Sequence, residues 1–87
     1  MVTKQPLTVT EALNEIILVE LRRHGISHTN MARTLGIGRD TFARRLDGPH
    51  GFTGAELERI ASSLGTTPSR LLSLAEIRSL ASQAVSA

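Results

Sequence analysis

Apolar residues recur along this chain at helical spacing. Leu13, Ile16, Ile17 and Leu21 fall three or four positions apart and predict a buried stripe on a helix that starts near Val9. Thr8 and Glu11 stand at capping-box spacing ahead of it, and Gly25 is its natural stop. Leu18 and Val19 lie off that stripe. Ser27 can cap a short second helix whose Met31, Ala32 and Leu35 face inward and which Gly36 ends. Gly38 can cap a third, Arg39 to Leu46, with Phe42 and Leu46 stacked toward the core. Gly48-Pro49-His50-Gly51 reads as a loop. Thr53 and Glu56 form a second capping box, with Phe52 and Leu57 as its hydrophobic staple. They open a fourth helix, carrying Leu57, Ile60, Ala61 and Leu64, that Gly65 stops. Thr67-Pro68 opens a fifth, with Leu71 and Leu72 as core residues. Beyond it Ile77, Leu80, Ala81, Ala84 and Val85 form another amphipathic stripe. Ser73 and Glu76 repeat the capping-box spacing, so two forms stand open: one helix from Pro68 to about Val85, or a break at Ser73. The fold class expected is all-α, a compact bundle of five short helices with an extra or extended C-terminal helix.

Length and composition narrow the picture. Eighty-seven residues make one small domain, and without cysteine neither disulfides nor thiolate metal sites brace it. Phe42 and Phe52 are the only aromatics, so the core must be aliphatic. No apolar run has the length of a membrane span and no signal-peptide pattern opens the chain, so a cytoplasmic protein is expected. Charge changes the picture more. Between Leu21 and Arg45 stand six arginines and one acid, Asp40, a local charge of +5 inside a net charge of only +2. A basic face on a pair of short helices is what a phosphate backbone attracts. No catalytic set is evident, so no enzyme and no cofactor are expected. His24, His28 and His50 lack metal-ligand spacing. Gly36-Ile37-Gly38 lacks the third glycine and the preceding strand of a nucleotide fingerprint.

Leu21 to Ser27, Met31-Ala32, Leu35 to Gly38 and Phe42 to Gly48, followed by Leu57, Ile60-Ala61, Leu64-Gly65 and Leu71-Leu72, resemble one family. It is the lambda repressor and Cro-like (XRE-type) helix-turn-helix family of phage and bacterial regulators, and the resemblance covers roughly residues 12 to 74. A bare helix-turn-helix pattern is weakly specific; the flanking helices at the right spacing make this match stronger. The chain departs from the family twice. Arg45 stands where an aliphatic residue is usual, with Leu46 taking the packing role one position later. His28 stands where glutamine is common.

The resemblance implies a lambda repressor-like bundle with its helix-turn-helix at the second and third helices, the third lying in the major groove. Its base-reading positions here are Arg39, Asp40 and Arg44. Each arginine can pair bidentately with guanine, and Asp40 can accept from cytosine or hold Arg44 by an i, i+4 pair. His28, Thr29, Thr41, Arg45 and His50 are the expected backbone contacts. Residues 1–8 are expected to be an arm, 9–74 the DNA-binding domain, and 75–87 a helical extension. Leu74, Ile77, Leu80, Ala81 and Val85 form the candidate dimer interface, with Leu18 and Val19 as possible additions. Otherwise the tail folds back onto its own core. The expected partners are a double-stranded DNA operator and a second copy, with no membrane and no small-molecule ligand. A phage immunity regulator is the role the resemblance favours, either a complete Cro-like protein or the first domain of a longer repressor. The alternative is an interaction module, such as an antitoxin that binds its toxin through the apolar tail.

Overall fold

The backbone of residues 6–86 is described by the computed structural model, with side chains through residue 84. It forms α1 (Val9–Arg23), α2 (His28–Leu35), α3 (Arg39–Asp47), α4 (Gly54–Ser63) and α5 (Pro68–Ser86), and no strand occurs among the described residues. Side chains answer the free N–H groups at most helix starts. Thr8 accepts from the Glu11 N–H at 3.1 Å while the Glu11 carboxylate accepts from the Thr8 N–H at 2.9 Å. Thr53 and Glu56 repeat this reciprocal box ahead of α4, at 3.1 and 2.8 Å. Ser27 accepts from the Asn30 N–H and Thr67 from the Arg70 N–H. Such caps are each worth about 1 kcal/mol. Only Gly38, ahead of α3, supplies no side-chain bond.

Three of the helices end by one device. At the end of α2, Gly36 turns to φ +72°, a conformation that a Cβ would strain. This lets the Ile37 N–H donate to the Ala32 carbonyl at 3.0 Å. The Ile26 N–H reaches back to Leu21 after α1, and the Thr66 N–H to Ala61 after α4, both at 2.9 Å. The turn also carries Ile26 and Ile37 down against the core.

Ile17, Leu21, Met31, Phe42, Ile60 and Leu71 are the large side chains shut away from solvent. Each contributes roughly 1.5–3 kcal/mol by burial. That burial decides whether α2 and α3 exist, because helices of 8 and 9 residues are well below the ~12–15 that stand alone in water.

The tail takes the first of the two helical forms read from the sequence. α5 is one helix, unbroken at Ser73, and the division expected at residue 75 falls inside it. It runs back antiparallel along α1, burying Leu71, Ala75 and Ser79, one residue from each successive turn. Leu72, expected in the core, is exposed because it lies about 100° round the helix from Leu71. The stripe of Leu74, Ile77, Leu80 and Ala81 faces solvent, with Ile77 and Leu80 65% and 64% exposed. Val85 belongs to α5, but its side chain lies outside the described residues. So do residues 1–5, including Lys4. Leu7, in the stretch expected to be an arm, is tied to α5 at both ends of its peptide unit. Its N–H donates to the Ser82 hydroxyl at 2.9 Å, and its carbonyl accepts from the Ser79 hydroxyl at 2.8 Å. No helix among the described residues is long and apolar enough to cross a membrane.

Ala75 has no exposure where α5 meets α1, so a larger residue there must push the two helices apart. Ala75→Leu is expected to lower stability by about 1–3 kcal/mol, read from urea denaturation.

Candidate nucleic-acid interface

α2 and α3 stand at the angle that the Gly36 turn and Phe42 impose. Phe42 is fully buried and touches aromatic or imidazole rings on both sides. The His28 ring meets it edge-on, with centroids 5.5 Å apart and planes at 72°. Phe52 lies 5.6 Å away on the approach to α4, tilted by 39°. The start of α2, the middle of α3 and the entry to α4 are thereby joined. His28 is half-buried, so one side of its ring is committed to Phe42, while Thr29 beside it is exposed.

The outer face of α3 carries Arg39, Asp40 and Arg44, all exposed. Among the described residues neither Arg39 nor Arg44 forms an ion pair, so both charges are available to an incoming anion. The pair expected between Arg44 and Asp40 does not form. Arg44 turns to Thr41 instead, its Nη2 donating to the hydroxyl at 3.4 Å, since residues three apart share a helix face. Thr41, Arg44, Arg45, Gly48 and His50 line an open groove of about 270 Å³ beside α3. The structure thus gathers four of the sequence-predicted contact residues in one concavity. It keeps Arg39 and Asp40 at the first turn of α3, and His28 and Thr29 at the first turn of α2. Among the described residues no three His, Asp or Glu side chains gather as a metal ion would require.

Arg45 has a partner that the sequence reading did not foresee. Its guanidinium is paired with the Glu56 carboxylate on α4, and the two side chains keep 34% and 15% of their exposure. Leu46 packs against the core beside it, in the role expected of it. Glu56 serves two donors, the Thr53 N–H and Arg45. The Thr53 N–H first, and then Arg45, hold its carboxyl below the usual glutamate range.

Asn14 of α1 also reaches this region, and the hydrophobic pattern gives no sign of it. It is 3% exposed, within the buried face of α1. Its Nδ2 donates to the Arg45 carbonyl at 3.1 Å and, more weakly, to the Gly48 carbonyl at 3.4 Å. The sequence does hold a signal for it. A further helical turn would answer the Arg45 carbonyl from residue 49, but Pro49 has no N–H.

A family model, that of the Cro/C1-type HTH DNA-binding domain, matches residues 17–76. That span takes in α2, α3 and α4 whole, with the second half of α1 and the first half of α5. No curated protein and no solved structure matches the chain significantly.

Because Glu56 releases its proton more readily folded than unfolded, its contribution is full above the ordinary glutamate value of 4.5. It is lost as pH falls through the folded value. Glu56→Gln is therefore expected to cost about 1 kcal/mol at neutral pH. The gap to wild type should close on acidification, in urea melts run across a pH series.

Proposed function

The chain belongs to the Cro/C1-type helix-turn-helix DNA-binding domain family, and from that premise we propose that it is a sequence-specific transcriptional regulator. It reads operator half-sites by laying α3 in the major groove of double-stranded DNA. The observation that carries this reading is Arg39 and Arg44, exposed, without acid partners among the described residues, on the outer face of the second helix of the motif. Arg39 and Arg44 pair with guanine edges, and Asp40 accepts from cytosine N4. Thr29, Thr41 and His50 meet phosphates, with the edge of the His28 ring that Phe42 leaves uncovered. Arg45 lends its charge to the groove while Glu56 holds it in place. Neutralising phosphates releases counterions, so affinity should fall with salt by about −0.9 in log–log slope per phosphate contacted.

One such domain offers few base contacts, so a second copy supplies useful specificity. The exposed face of α5 supports self-association. Leu74, Ile77, Ala81 and Ala84 are spaced three, four and three residues apart, the seam of a short helix pair, with Leu80 beside it. Repression of transcription by such a dimer, in the manner of a phage immunity regulator, is the role this favours. The same exposed seam supports a second reading, an interaction module that holds a partner protein, such as a toxin, through α5.

Two measurements check these readings. Arg44→Ala should cost about 1–3 kcal/mol on the preferred duplex and relax the choice at one base pair per half-site, in selections from a randomised pool. Equal binding to all sequences by the wild type would end the operator reading. Leu80→Asp should dissociate the dimer in sedimentation while moving folding stability by less than about 0.5 kcal/mol. Full operator binding by that variant, with loss of a protein partner, would favour the second reading.

A further inference from the structure

α3 is finished differently from the helices around it. α1, α2 and α4 satisfy their last carbonyls with their own backbone, through the N–H groups of Ile26, Ile37 and Thr66. Gly48, at the end of α3, is extended at φ −91° and ψ 171°, and Pro49 behind it has no N–H to return. The carbonyls at that end are answered from another helix, by the Nδ2 of Asn14.

We propose that Asn14 is the positioning residue of the interface: a cap in trans that fixes the roll and tilt of α3 against α1. The proposal rests on the operator reading above. Three observations carry it. Asn14 is 3% exposed, on a face whose other members are Ala12, Leu13, Ile17 and Leu21, so its amide is held by close packing. Its two donors go to residues 45 and 48, the first being the immediate neighbour of Arg44. Its Oδ1 is buried and meets no hydrogen-bond donor among the described residues. A buried acceptor left unmet opposes the stability that the two donated bonds provide. The two donated bonds fix the direction of the α3 end whatever their net stabilisation. The loop beyond is built to keep it there. Gly51 is buried, and a Cβ on it would come within 3.0 Å of the Thr10 methyl and 3.8 Å of the Asn14 Oδ1. Any residue larger than glycine at 51 would press on the Asn14 side of α1.

The test compares wild type with Asn14→Leu, branched alike but bulkier and without donors, and with the milder Asn14→Ser should the leucine variant not fold. Each is titrated with the duplex that wild type selects from a randomised pool and with a random-sequence duplex, well below its own melting temperature. The expected result is at least a roughly tenfold fall in the ratio of the two affinities. Random-sequence binding and its salt slope should stay within about twofold, since the phosphate-facing charges are untouched. A base-preference profile altered at the positions read by Arg39 and Arg44 belongs to the same result. A folded variant with wild-type discrimination would overturn the proposal. So would both affinities falling together with the melting temperature, which is what a purely structural asparagine would give. If wild type itself fails to discriminate between the duplexes, the operator reading fails, and the proposal goes with it.

Discussion

A helix of nine residues does not hold its shape in water, and α3 has nine. Everything asked of its outer face depends on what grips its inner one. That grip is Phe42, closed off from solvent and held between His28 of α2 and Phe52 ahead of α4. Burial of one large ring is a strong force but a poorly directional one. A helix anchored by Phe42, with only half-buried Leu46 beside it, can still roll.

Roll is limited by polar contacts near the far end of α3. Arg45 is held by Glu56 from α4, and its carbonyl by Asn14 from α1. These two holds come from different neighbours, and both lie within a residue of exposed Arg44. The apolar core therefore decides that α3 is a helix, and the polar contacts decide where its surface arginines point. The charge pattern agrees with this division. The arginine nearest the core is held by Glu56, whereas Arg39 and Arg44 are left to solvent.

Much of this was legible in the chain itself. The reciprocal boxes of Thr8 with Glu11 and Thr53 with Glu56 marked two starts, and Gly25, Gly36 and Gly65 marked three ends, because each signal acts within a few residues. The basic face of α3 was legible because charge counts need no tertiary knowledge. What the pattern hid depends on distant partners. The buried face of α5 is Leu71, Ala75 and Ser79, and two of these are too small to register as hydrophobic signal. The more apolar stripe of Ile77 and Leu80 faces outward. The capping-box spacing of Ser73 and Glu76 carries no start, because packing on α1 keeps that stretch helical. Arg45 and Glu56 are eleven residues apart, and Asn14 is thirty-one from Arg45, distances that no local period spans. Pro49 was the one local trace of that contact.

The tie between Leu7 and α5 bears on the order of folding. Leu7 and Ser82 are 75 residues apart, so their hydrogen bond closes nearly the whole chain into a ring. Closing a loop of that length costs about 4 kcal/mol of chain entropy beyond a constant. Such a contact belongs to the end of folding, after α2, α3 and α4 have gathered through shorter loops. On the ribosome, the side of α1 that α5 covers stays open until α5 has left the exit tunnel. That side of α1 is among the last surfaces of this fold to be sheltered.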